Sequence, residues 1–170
     1  MSLKYLPEHA DAALRALDLA HKEAEHLRYS QVTLFALPID LVWVQTLSNR
    51  PEVAEKIEAF VSRFGRLQDH LGDKLLPRFV ALVGGNSKTL LDALAIAEKT
   101  DLLVSADAFI AARKLRNALV HEYMHDAQTF LESLFAAQQA CQMFFDIIEK
   151  ARAQTIHLGL PQTGAENDAN

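Results

Sequence analysis

Between Arg113 and Tyr123 the chain reads Arg-Lys-Leu-Arg-Asn-Ala-Leu-Val-His-Glu-Tyr, and its chemically able side chains gather there. Arg116 brings a guanidinium, Asn117 an amide, His121 an imidazole and Tyr123 a phenol. Together these groups suit a phosphodiester. A guanidinium makes paired hydrogen bonds to phosphate oxygens and balances the charge of a phosphorane-like transition state. An imidazole titrates near neutrality, so His121 can take a proton from a ribose 2′-hydroxyl or return one to the leaving oxygen. Asn117 can orient the imidazole or the phosphate, and Tyr123 offers a hydroxyl and a ring on which a base can stack. That reaction needs neither a metal nor any other cofactor.

Spacing sets a condition on this chemistry. On a regular helix from Arg113 to His125, the residues Arg113, Arg116, Val120 and Tyr123 form one row. Lys114, Asn117, His121 and His125 form its neighbour. Arg116 and His121 then stand about 140° and ~7.5 Å apart. They converge only through the length of the arginine, a distortion of the helix, or a second copy of the chain. The plainer reading, that an Arg and a His near a helix end pack and cap it, stands beside the catalytic one.

The order Arg116-Asn117-Ala118-Leu119-Val120-His121-Glu122-Tyr123 resembles the Arg-x4-His-x-Tyr signature of the HEPN superfamily, and within it the HepT-like toxins. The match includes the polar residue after Arg and the Tyr two places after His. It covers the helices from about Pro51 to Ala153, leaving residues 1–50 as a less typical N-terminal extension. The resemblance implies an all-α, up-down bundle of long antiparallel helices that dimerises, with two motifs facing each other across the interface. It implies a metal-independent endoribonuclease with Arg116 and His121 as the catalytic pair and Asn117 and Tyr123 in support. The target would be tRNA or mRNA. The toxin would be neutralised by a cognate MntA-like nucleotidyltransferase antitoxin that transfers adenylate to Tyr123, putting bulk and negative charge beside Arg116. The alternative within the same family is a HEPN module without nuclease activity, the nucleotide- or substrate-binding subunit of a two-component nucleotidyltransferase.

A second motif overlaps the first. His121-Glu122-Tyr123-Met124-His125 also spells His-Glu-x-x-His, in which two imidazoles one turn apart share a zinc and the Glu activates water. Against a zinc protease stand Gln128 and Leu131 where a metzincin has Gly and His, the charge of Asp126, and no source for a substrate-binding sheet edge. A third ligand would have to come from Glu132, Asp146 or Glu149. The remaining histidines, His9, His21, His26, His70 and His157, show no ligand spacing and read as surface or capping groups.

Composition agrees with a helical frame around these groups. The chain has 170 residues, half of them apolar, with only six Gly and five Pro, which predicts one all-helical domain. A net charge of −5 excludes a broad electrostatic grip on nucleic acid but not a local phosphate site. No apolar run is long enough to cross a bilayer and no signal peptide is apparent. The single Cys141 forms no internal disulfide, so a reducing cytoplasm is expected, and its place on an apolar row predicts core.

Periodicity predicts the elements in order. A helix opens at Pro7-Glu8 and runs to about Arg28, followed by an ordered loop over Tyr29 to Ile39 and a short helix capped by Asp40. Pro51 opens a long helix kinked at Pro77 and stopped by Gly84-Gly85. Its polar flank of Arg63, Arg66, Asp69, Lys74 and Arg78 reads as a solvated face. Ser87 caps a helix ending near Thr100, Ser105 caps the helix carrying the motif, and Asp126 caps the last long helix. Phe130, Phe144 and Phe145 on that helix read as core or dimer interface. The domain spans residues 1–156, as the extension (1–50) and a HEPN-like core (51–156), and residues 157–170 form a flexible tail.

Overall fold

The structure, a computed structural model, describes residues 4–123 and 125–162. Among them all regular structure is helical, and no helix is long and apolar enough to cross a membrane. The helices are α1 (Ala10–Phe35), α2 (Leu41–Gln45), α3 (Pro51–His70), α4 (Leu76–Leu82), α5 (Leu90–Lys99), α6 (Ala106–His121) and α7 (Ala127–His157). A 3₁₀ turn, Pro7–His9, precedes α1, and a second, Leu47–Asn49, precedes α3.

The chain divides into two compact units that share its three longest helices. The first comprises residues 1–21, 70–106 and 145–170, the second residues 22–69 and 107–144. This division does not fall at residue 50. The predicted extension supplies half of α1 to each unit, so residues 1–50 are structural parts of both.

In the first unit the ends of α1 and α7 join α4 and α5. Leu14, Leu17, Leu75, Phe79, Leu94 and Ile147 are buried. The His70 Nε2–H donates to the Ala16 carbonyl at 2.9 Å, and the Leu6 N–H to the Leu82 carbonyl at 2.8 Å. His70 is therefore a core group, not a surface one. Pro77 leaves its mark one turn upstream, where Leu71–Leu75 widens into a π-helical turn before α4 begins. The proline ring cannot offer an N–H and crowds the turn before it, and the wider turn accommodates both effects. Gly84, at φ +86°, then turns the chain in the left-handed region that a side chain resists.

In the second unit the remainder of α1, with α2, α3, α6 and the start of α7, closes around aromatic rings. Phe60 lies 5.3 Å from Phe35 and 6.1 Å from Phe64, and Phe64 lies 5.0 Å from Phe144. Phe130 and Phe144 are fully buried here, and Phe145 is buried in the first unit, so the stripe is core. Cys141 is also fully buried, and burial pushes its thiol up to about 12.

Several boundaries differ from those expected. Helix α1 continues through Tyr29–Phe35, where the β-branched Val32 and Thr33 suggested a loop. Packing overrides the propensity. Ser30 and Leu34 are buried, Arg63 donates to the Ser30 hydroxyl at 2.6 Å, and Thr33 returns its hydroxyl to the Tyr29 carbonyl at 3.0 Å. Asp40 caps α2 as expected, accepting from the Trp43 N–H at 2.8 Å. Helix α5 is capped by Thr89, not Ser87, because Thr89 and Asp92 exchange hydrogen bonds in a capping box. The last helix ends where the pattern was expected to dissolve, but the first residues of the expected tail are packed. α7 runs to His157, Gly159 turns at φ +75°, and the Leu160 N–H reaches back to the Thr155 carbonyl at 2.9 Å with Leu160 buried. Residues 163–170 of the expected tail lie outside the described residues.

Candidate functional site

The motif occupies the last turns of α6 and the residues just after it, all in the second unit. Helix α6 starts at Ala106, directly after Ser105, and the Ala106 N–H donates to the Glu98 carboxylate at 2.9 Å. Phe109, Ala112 and Leu119 bury one face of the helix.

Arg116 lies across α3. Its guanidinium pairs with Asp69, each side chain being about 40% exposed. The contact depends on a missing side chain. Gly65 is buried one turn before Asp69, and a Cβ there would meet Arg116 Nε at 2.7 Å and Cδ at 3.1 Å. A glycine in a helix interior costs about 1 kcal/mol relative to alanine. At this position it gives the arginine stem somewhere to lie. Gly65 and Asp69 therefore hold Arg116 at the surface with part of its guanidinium still open to solvent.

The helix ends sooner than the motif. His121 is the last residue of α6, and Tyr123 and His125 lie beyond it. The regular helix supposed above to reach His125 stops at His121, so neither row of that projection extends past the helix end. The Glu122 N–H still reaches the Ala118 carbonyl at 2.9 Å, and the His125 N–H reaches the Glu122 carbonyl at 3.1 Å. Asp126 caps α7, accepting from the Thr129 N–H at 3.1 Å and the Thr129 hydroxyl at 2.9 Å. These bonds hold its carboxyl below the usual range.

Arg116 and His121 both lie on regular helix, so the expected separation of about 140° applies within one chain. Arg116 is turned to α3, whereas His121 and Asn117 are exposed. One protomer thus presents the two groups on different faces of α6. The ending of α6 also parts His121 from His125, which no longer share one helical face. Among the described residues, no group of three His, Cys, Asp or Glu side chains is placed to hold a metal ion.

Tyr123 is half-buried, its ring edge-on to Phe130 at 5.2 Å. It lines a cleft of about 290 Å³ together with Ile57, Glu58, Val61 and Ser62 of α3 and Leu119 and Val120 of α6. Burial, and then the Glu58 carboxylate, raise the Tyr123 phenol above its ordinary value. Val120 stays 59% exposed at this cleft.

Sequence reading singled out Arg116, Asn117, His121 and Tyr123 but not Gly65 or Glu58, and it assigned Asp69 to a solvated flank. Gly65 and Asp69 carry one available signal. They stand one helical turn apart on α3, and glycine is otherwise unfavourable in a helix interior. Nothing in the sequence marks α6 as their partner. Compared with known proteins, the chain matches no family model, no curated protein and no solved structure.

Proposed function

We propose that this chain is a HEPN-type, HepT-like endoribonuclease that acts as a homodimer and is controlled by adenylylation of Tyr123. The observation that carries the reading is the seating of Arg116. Its guanidinium is held at the surface by Asp69 over Gly65, while an unburied imidazole ends the same helix. In the reaction, His121 of one copy removes the ribose 2′-hydroxyl proton, and the oxygen attacks the adjacent phosphorus. Arg116 balances the phosphorane charge, and the 5′-oxygen leaves with the proton that His121 returns, giving a 2′,3′-cyclic phosphate and a 5′-hydroxyl. The angular separation within one α6 supports a site assembled from two copies. Control would follow from adenylate transfer by a neighbouring nucleotidyltransferase, which joins the Tyr123 oxygen to the α-phosphorus of ATP and releases pyrophosphate.

The test is complementation. Arg116→Ala and His121→Ala are each expected to abolish cleavage of cellular RNA in EDTA. A mixture of the two variants should regain part of it, because a mixed dimer contains one intact Arg–His pairing. Full activity in either single variant would sink the nuclease reading, and no recovery on mixing would sink the shared site. Co-expression with a nucleotidyltransferase should add adenylate mass to wild type but not to Tyr123→Phe.

The Arg116–Asp69 ion pair favours a second reading, because it already partly neutralises the guanidinium. On that reading the chain is a non-catalytic nucleotide-binding subunit of a two-component nucleotidyltransferase. Nucleotide binding without RNA cleavage would decide for it.

A further inference from the structure

Arg116 and the cleft beside Tyr123 are successive stations along one seam. Arg116 meets Gly65 and Asp69, whereas Val120 and Tyr123 line the cleft with Glu58, Val61 and Ser62. As numbering rises along α6 it falls along α3, so the two helices run antiparallel. Val120 is four residues beyond Arg116, on the same face and about 6 Å further along the axis. That is the kind of separation a nucleotide keeps between its phosphate and its base.

We propose that the cleft is the base-binding half of a nucleotide site whose phosphate half is Arg116, and that Glu58 selects guanine. The assignment rests on the reading of Arg116 as a phosphate-binding group, and it names the base which that site prefers. Val61 and Val120 give apolar surface for the face of a planar ring, and the buried Ile57 and Leu119 form the floor beneath it. At about 290 Å³ the space is large enough to take a base. The aromatic wall, Tyr123, contributes the kind of surface on which single-stranded bases pack. The polar groups at the cleft are the Ser62 and Tyr123 hydroxyls and the Glu58 carboxylate.

The carboxylate decides between bases. Ionised, it only accepts hydrogen bonds. Guanine alone sets two adjacent donors, N1–H and the exocyclic amino group, along one edge where both carboxylate oxygens can accept. Adenine and cytosine each place an acceptor nitrogen beside their amino group, which the carboxylate repels. Uracil flanks its single N–H with two carbonyls. The Tyr123 phenol, raised further above its ordinary value of 10.0, is protonated and so a donor across the neutral range.

The experiment titrates the full chain in EDTA with GMP, AMP, CMP and UMP, following the methyl resonances of Val61, Leu119 and Val120. GMP should shift these methyls and bind about tenfold or more tightly than the others, the discrimination expected of a bidentate base contact. Glu58→Gln should erase the preference, whereas Arg116→Ala should weaken all four ligands alike. Ser62→Phe, which fills the cleft from an exposed position, should weaken all four while leaving the melting temperature in place. Equal affinity for the four nucleotides, or a guanine preference surviving Glu58→Gln, would overturn the assignment. So would methyl shifts that follow protein dilution instead of nucleotide, since a second copy would then occupy the cleft. Cleavage mapping on RNA separates the two proposals. Guanine-selective binding without cleavage removes the nuclease and keeps the base site, whereas cleavage indifferent to guanine keeps the nuclease and removes the base site.

Discussion

The two units treat their polar side chains in opposite ways. In the first, several polar side chains are spent on structural contacts. His70 is buried against the Ala16 carbonyl, Arg152 donates to His21 Nδ1 at 3.1 Å, and Lys150 pairs with Asp101 at 2.9 Å. In the second, Arg63 does similar work on Ser30, but Asn117 and His121 are left in solvent and Arg116 is only half covered. Residue type does not separate the two cases, since both units contain an arginine and a histidine on helices. What separates them is whether the fold consumes the donors.

The largest test of that contrast sets His121 against His70. His121→Ala is expected to cut RNA cleavage by about 10²–10⁴-fold, the range for losing a general acid–base group, with an unchanged melting curve. His70→Ala should do the reverse, leaving cleavage intact while costing about 1–3 kcal/mol in denaturant unfolding, because a buried carbonyl loses its donor. If the two phenotypes were exchanged, the division between structural and reactive polar groups would fail.

Gly65→Ala sharpens the contrast further. The added methyl improves helix propensity by up to about 1 kcal/mol, so thermal stability should hold or rise. It also displaces the Arg116 stem, and cleavage should fall roughly 10–100-fold, a misplacement effect of the kind expected when a charge-balancing group moves. Cleavage at the wild-type rate would mean that the seat has no role.

A smaller effect concerns pH. Because Tyr123 holds its proton more tightly in the folded chain, the native state binds more protons than the unfolded one above the ordinary value of 10.0. Stability should therefore decline as pH climbs from that value through the folded one. Glu58→Gln should narrow this window without closing it, since burial is the larger cause; absorbance titration of the phenols would show it. Smallest of all, Cys141 should resist thiol reagents in the native state near neutral pH, its thiol being buried and pushed up to about 12. Rapid labelling without unfolding would contradict the packing of α7.

What could be read from the sequence follows from where the information sits. Arg116, Asn117, His121 and Tyr123 lie close together in the chain, so type and spacing exposed them. Asp40 and Asp126 were legible as caps because the signal is local. The seat of Arg116 was not legible, because Gly65 and Asp69 belong to a different helix and only folding brings them to it. The end of α6 was missed for a related reason. No Gly or Pro stands between His121 and Asp126, and the helix stops where the capped start of α7 requires a turn. Tyr29–Phe35 failed in the other direction, its local β-branched bias outweighed by burial of Ser30 and Leu34.

The widened turn at Leu71–Leu75 has a consequence for how this chain can change by descent. A π turn is equivalent to one residue inserted into an α-helix, and deleting that residue would restore regular winding. The wider turn absorbs the extra residue, so the deletion would leave Phe79, Val80 and Leu82 on the side they now bury. Shortening the chain by a single codon would thus be less disruptive here than in a regular helix, where losing one residue turns all that follows by about 100°.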